Sequence, residues 1–301
     1  MKNIVNHIIS IVLLFAIAFF AMAPLESPIT GKGVRWMADL EDDRAINELS
    51  IPGTHDSGAT HSIADVAGKC QSLTIEDQVH IGVRFFDIRL QQEGDDFNIV
   101  HSFVDQATDF DDVLESMVSF VVNNPTEFLI VSIKKDTDSK NPQGDFTVLL
   151  EEMLREHSQI STSTELPKTV GEARGKIYIV SRYEGSTMGI PAYDGWQDST
   201  SFALDGLYVQ DNYKVESAEE KIADIESTMT VADKCEYSLV LNFTSCYLTS
   251  GFPPTYAATP AKTINPWLIE RLTFEARPQG VLVCDFMTSD LVKAIWEVNF
   301  R

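Results

Sequence analysis

Residues 82–90 read Gly-Val-Arg-Phe-Phe-Asp-Ile-Arg-Leu. The run is extended in character and alternates towards its end. Asp87 and Arg89 fall on one face, Phe86 and Ile88 on the other. An apolar strand that finishes in charges is expected where a buried sheet opens into a polar mouth. The same pattern recurs outward along the chain. Apolar runs at 50–52, 97–100, 128–134, 176–181, 206–210, 238–243 and 281–284 read as further strands. Helix-like stretches lie between most of them. Residues 109–123 carry Phe110, Val113, Leu114, Met117, Phe120 and Val121 at helical spacing, with acids in the first turn. Residues 145–157 repeat that pattern, 217–229 open with the capping box Ser217-Ala-Glu-Glu220, and 266–275 and 289–298 close the series. Strands alternating with helices imply a parallel sheet, and about eight strands predict an α/β fold: a single, irregular TIM-type (β/α) barrel.

Composition agrees and excludes several classes. The chain has 301 residues, 44% of them hydrophobic, with 23 Lys plus Arg against 45 Asp plus Glu and a formal charge of −22. A chain this acidic is not a nucleic-acid binder, because it cannot neutralise a run of phosphates. Four cysteines do not make a disulfide scaffold. No G-x-G-x-x-G or Walker motif follows a strand, which argues against a nucleotide site.

The N-terminus has Lys2 and then an apolar run from Ile8 to Ala23, closed by Ala21-Met22-Ala23. At 16 residues it is short for a membrane span and reads as a secretory signal peptide over 1–23, leaving the barrel in 24–301 and the protein outside the cell. Export favours disulfides. Among Cys70, Cys235, Cys246 and Cys284, the second and third can pair only if the chain turns back sharply, and Cys284 reads as a buried hydrophobe. Asn242-Phe-Thr244 is a glycosylation sequon in a eukaryotic host.

In a barrel of this kind the chemistry sits at the C-terminal strand ends. Those ends carry His55 and Asp56; Arg84, Asp87 and Arg89; His101; Lys134; Arg182; Asp211 and Tyr213; and Asp285. Two histidines can divide the work of general base and general acid, and Arg and Lys can hold a phosphate. With no Ser or Cys nucleophile evident, the set favours phosphodiester cleavage by a hydroxyl of the substrate itself.

At these residues the sequence resembles the X-domain of phosphatidylinositol-specific phospholipases C in their bacterial-type, metal-independent form. IPGTHDSG, GVRFFDIRL, IVHSF, IVSIKKD, KIYIVSRY, YVQDNYK and VLVCDF occur in the family's order, between about Ala45 and Asp285. The resemblance implies cleavage of phosphatidylinositol to diacylglycerol and inositol 1,2-cyclic phosphate, and in many members release of glycosylphosphatidylinositol (GPI) anchors. It implies His55 as general base oriented by Asp285, and His101 as general acid assisted by Asp87. Arg89 is the implied phosphate clamp, with Asp56 beside it. Lys134, Arg182 and Asp211 are the implied inositol-hydroxyl ligands, and Tyr213 the stacking ring. Alternation selects Lys134 over Lys135. Arg89 stands where calcium-dependent relatives place a metal charge, so neither metal nor cofactor is expected. The implied partner is an inositol lipid, phosphatidylinositol or GPI, met peripherally at a membrane by a monomer. Residues 186–202, with Trp196, are a candidate lipid-contacting rim. Two other readings stay open: a different phosphodiesterase on the same barrel, such as a glycerophosphodiesterase, and an inactive binder of inositol lipids.

Overall fold

The computed structural model describes residues 34–61, 68–102, 104–250 and 255–301. The signal-peptide reading of residues 1–23 lies outside them. In chain order the elements are β1 (Ser50–Thr54), α1 (Ile75–Ile81), β2 (Phe85–Glu93), β3 (Asp96–His101), β4 (Val104–Asp109), α2 (Phe110–Asn123), β5 (Leu129–Lys135), α3 (Phe146–Arg155), α4 (Val170–Ala173), β6 (Ile177–Arg182), β7 (Ile190–Pro191), β8 (Ser201–Leu204), β9 (Leu207–Gln210), β10 (Lys214–Val215), α5 (Ala218–Ala232), β11 (Leu239–Phe243), β12 (Tyr247–Leu248), α6 (Ala258–Leu272), β13 (Gly280–Cys284) and α7 (Ser289–Trp296).

The main sheet runs β7-β6-β5-β2-β1-β13-β11-β9-β8. Every ladder from β7 to β9 is parallel, and β8 joins β9 antiparallel. All residues of β1, β6, β11 and β13 are buried, as a parallel sheet covered by helices requires. The expected irregular barrel is therefore present, and its irregularity has two sources. No ladder joins β7 to β8 among the described residues, so the sheet has a seam. And the run at 97–100 is not a barrel strand: β3 returns antiparallel against β2, which continues past the mouth, and pairs in turn with β4. Alternating apolar residues in an extended arm look the same in sequence as those of a barrel strand.

Helix readings shift in two places. α6 starts eight residues before Pro266, which lies inside it rather than at its first turn. Burial of Pro260, Ala261, Ile264, Leu268 and Leu272 outweighs the hydrogen bond that proline removes. At α5 the Ser217 hydroxyl accepts from the Glu220 amide, but the Glu220 carboxylate accepts from the Glu216 amide, one residue outside the expected box.

Arg84 is also corrected. It precedes β2 at the end away from the mouth, fully buried. Nε and Nη2 donate to Glu127 Oε2 at 3.0 and 2.8 Å, and Nη1 donates to the carbonyls of Val79 and Val83. Burial holds its pKa below the ordinary arginine value, with Glu127 opposing. The pair is structural. Glu127→Gln leaves a buried guanidinium without its counter-charge, and we expect a loss of about 3–5 kcal/mol in urea unfolding. A loss under about 1 kcal/mol would contradict this account.

Candidate active site

The mouth is built on strand register. Arg89, Lys134 and Arg182 are direct neighbours across β2, β5 and β6, a row of three cations. One step below, Asp87 pairs with Ser132. His55 and Asp285 follow the paired ends Thr54 and Cys284 of β1 and β13. The loop after β1 is fixed from beneath. Thr54 Oγ1 donates to Gln78 Oε1, whose Nε2 donates to the Ser57 carbonyl, and the Ser57 amide donates to the Asp87 carbonyl. Gly58 in this loop has no room for a side chain: a Cβ would lie 2.5 Å from Ile99 Cγ2. That close approach of β3 brings His101 to the mouth.

His55 Nδ1 and Asp285 Oδ1 are 2.7 Å apart. On its other side, His55 Nε2 lies 2.8 Å from Arg89 Nη2. A guanidinium only donates, so Nε2 carries the lone pair and Nδ1 carries the proton given to Asp285. Burial lowers the His55 pKa, but the charge and hydrogen bond of Asp285 outweigh burial and the opposing Arg89, leaving it above the ordinary 6.5.

Arg89 is surrounded by carboxylates: Asp87 Oδ2 at 3.3 Å, Asp56 Oδ2 at 3.4 Å and Asp136 Oδ1 at 3.9 Å. Asp87 also accepts from the Asp56 amide at 3.1 Å and from Arg182 Nη1 at 3.0 Å. Against its burial, the two guanidinium groups hold the Asp87 carboxyl well below the usual range. Asp56 behaves differently. It is fully buried, neither carboxylate oxygen takes a hydrogen bond, and burial pushes its pKa up despite Arg89. The carboxylate at His101 is Asp56, with Oδ2 3.5 Å from Nδ1. This corrects the assignment of Asp87 to that role, because Asp87 is committed to the two arginines.

Lys134 Nζ donates to Asp136 Oδ1 at 2.6 Å, whereas Lys135 turns away over the Phe146 ring at 5.1 Å. Asp136 was missed, although continuing the alternation from Lys134 by one step reaches it. Arg182 is sandwiched, with Asp87 on one side and the Trp196 ring 3.6 Å from its carbon centre on the other. The Trp196 Nε1–H donates to Asp211 Oδ2 at 3.1 Å. Trp196 is thus a wall of the site, half-buried against Phe202 and Phe243. Tyr213 stands outside this network: its hydroxyl donates to the exposed Asp198 and its ring meets Tyr247 at 6.0 Å.

The remaining expectations resolve simply. All four cysteines are free thiols. Asn242 is fully buried in β11, bonded to Gln210 and to the Ile225 carbonyl, so its sequon cannot be glycosylated in the folded chain. Two supporting residues had no sequence signal. Gln71 donates to the carbonyls of His55 and Cys284, and Asn265 on α6 donates to that of Asp285. Among the described residues, two groups have spacing suited to a metal ion: His55, Cys70 and Asp285, and Asp56, Cys70 and His101.

Comparison with known proteins bears on the family and the fold. Residues 48–183 match the family described as phosphatidylinositol-specific phospholipase C, X domain. The chain is 26% identical to a 1-phosphatidylinositol phosphodiesterase of Listeria monocytogenes, over 99% of this chain and 98% of that one. It is 27% identical to one of Staphylococcus aureus, over 95% and 93%. A solved Staphylococcus aureus phosphatidylinositol-specific phospholipase C, studied for its membrane binding, superimposes with a TM-score of 0.78 at 25% identity, covering 89% of this chain and 97% of that one. The Listeria monocytogenes enzyme gives 0.72 at 24%, covering 89% and 98%, which confirms the fold.

The His55 reading is directly measurable. Once Asp285 is neutralised, burial and Arg89 both oppose protonation of the imidazole. We expect an NMR titration to place His55 above 6.5 in the parent and lower in Asp285→Asn. An unchanged midpoint would remove Asp285 as its partner.

Proposed function

We propose, because residues 48–183 match the phosphatidylinositol-specific phospholipase C X domain, that the chain cleaves phosphatidylinositol to diacylglycerol and inositol 1,2-cyclic phosphate. The observation that carries this is the arrangement around Arg89: two imidazoles, each beside its own buried carboxylate, on either side of one guanidinium. His55 Nε2 takes the proton from the inositol 2-hydroxyl. That oxygen forms a bond to phosphorus, and the bond from phosphorus to the diacylglycerol oxygen breaks. His101, with Asp56 beside it, donates the proton to the leaving oxygen. Arg89 binds the non-bridging oxygens where charge develops, adjacent to the base. Atoms balance without water, which accounts for a cyclic product.

Lys134, Arg182 and Asp211 supply donors and an acceptor for the inositol hydroxyls, and Tyr213 covers the ring from the edge of the mouth. Calcium requires six to eight oxygen ligands. Here Asp56, Asp87 and Asp136 already surround a fixed positive charge, which supports metal-independent catalysis. GPI lipids share the same phosphodiester. A cleft of about 1030 Å³ beside the mouth, lined in part by Asp136, Thr137, Asp145 and Tyr193, leaves room for a glycan. The chain is proposed to act as a monomer that meets lipid peripherally at the headgroup. The apolar run at 8–23 supports secretion.

The test is phosphatidylinositol vesicles in excess EDTA, followed by phosphorus NMR. The cyclic phosphate signal should appear in EDTA, and His55→Ala should lower the rate by about 10²–10⁴. Product only with added calcium would overturn the role given to Arg89; no product in either condition would overturn the activity. The raised His55 pKa also sets the acidic limb. Activity needs the neutral imidazole, so kcat/KM should fall as pH drops through a midpoint above 6.5. A midpoint below 6.5 would contradict His55 as base.

A further inference from the structure

Cys70 has no part in the reaction above, yet it lies between its two imidazoles. It is buried, held by its amide on the Ala59 carbonyl and by its own carbonyl accepting from the Phe286 amide. A cysteine that only packs has apolar neighbours. This sulfur faces ionic groups instead: it is 3.9 Å from His101 Nδ1 and within 4.8 Å of donor atoms on His55, Asp285 and Asp56.

We propose that Cys70, Asp56 and His101 form a binding site for a thiophilic divalent cation, zinc above all, and that filling it shuts the enzyme down. The site needs no new backbone geometry. Tetrahedral zinc bound at 2.0–2.3 Å holds its ligand atoms about 3.3–3.8 Å apart. The sulfur–nitrogen and nitrogen–oxygen edges here are 3.9 and 3.5 Å. Asp56 supplies the second, independent indication. It is a fully buried carboxylate with neither oxygen hydrogen-bonded, its only charged contacts among the described residues being the longer ones to Arg89 at 3.4 Å and His101 at 3.5 Å, so its lone pairs are open to a metal. The alternative triangle, His55, Cys70 and Asp285, shares the thiol but would break the 2.7 Å bond between His55 and Asp285.

Two interactions oppose the metal and limit its affinity. His101 Nδ1 is 3.0 Å from the Gly68 carbonyl and must give up the proton it holds there, and Arg89 lies 3.4 Å from Asp56. Binding to the chain whose His101 is the acid releases two protons, one from the thiol and one from that imidazolium. Burial and the nearby carboxylates keep that thiol protonated until a metal displaces the proton, so it does not act as a nucleophile in the meantime. Inhibition rests on the catalytic role given to His101. A metal-bound neutral imidazole has no acidic proton to give the leaving oxygen, and the bound ion draws Asp56 away from Arg89.

The experiment has a binding arm and a turnover arm. Chelator-stripped full chain is titrated with zinc against a chromogenic zinc indicator, and with cobalt(II) to look for thiolate-to-metal charge transfer in the near ultraviolet. We expect one zinc per chain, a cobalt thiolate band, and inhibition of phosphatidylinositol cleavage over the same zinc range. Cys70→Ala and Cys70→Ser should keep activity, lose the band, and weaken zinc binding by at least about tenfold. Thermal melts of both variants confirm folding. Equal zinc affinity with and without the thiol, or no thiolate band, overturns the site. Tight binding through Cys70 with undiminished turnover overturns the inhibition. Zinc binding through Cys70 in a chain that cleaves no phosphatidylinositol supports the site and overturns the activity, so the two failures are distinguishable.

Discussion

The mouth of this barrel depends on keeping one guanidinium charged and fixed where little water reaches it. Arg89 has contacts on three sides with carboxylates from three places in the chain: Asp56 after β1, Asp87 within β2 and Asp136 after β5. A charge so placed is tolerable only when paired. The pairing in turn fixes the strands relative to one another, because each carboxylate is held by a different loop or ladder. The same guanidinium fixes the tautomer of His55, since it offers only donors to Nε2. Tautomer selection, the anchoring of three carboxylates and a local positive charge thus reside in one side chain.

Holding these groups strains the backbone, and the strain falls at the site. Asp56, Ser102 and Phe286 each follow a site residue directly, and each adopts a left-handed conformation, with φ of 43°, 53° and 48°. Such residues cost on the order of 1–3 kcal/mol apiece. In each case the amide of the strained residue is tied into the site: Asp56 donates to Asp87, Ser102 to Asp136 and Phe286 to the Cys70 carbonyl. The buried carboxylates therefore orient side chains and also hold the turns that aim His55 and His101, while the Cys70 carbonyl holds the turn that aims Asp285.

These dependencies explain what could be read from sequence. The parallel strands were legible because burial on both faces leaves near-continuous apolar runs, and the mouth because those runs end in charges. Period-two alternation chose Lys134 over Lys135 correctly. It could not show that β3 runs back along β2, because direction is not encoded in alternation. It could not assign the partner of His101 either. Asp56 and Asp87 are equally plausible as neighbours in sequence, and only the commitment of Asp87 to Arg89 and Arg182 decides between them. Arg84 and Asn242 misled for a common reason. A charge near a strand, or a sequon within one, says nothing of which end or face it occupies.

Trp196 shows how the irregularity of the barrel serves the site. It lies in the segment between β7 and β8, where the main sheet has its seam. A regular barrel would close that gap with a ladder, and backbone would fill the space. Here an indole fills it, packing edge-on against Phe202 of β8 and Phe243 of β11. One face stacks on Arg182 and the ring nitrogen holds Asp211, so two groups from β6 and from the end of β9 are positioned across a gap that no strand ladder closes among the described residues. A stacked guanidinium keeps its planar fork in one orientation. With one edge on Asp87, Arg182 has its remaining donors available to the mouth. The seam thus gives the site a flat aromatic wall that a fully closed sheet would have no room to provide.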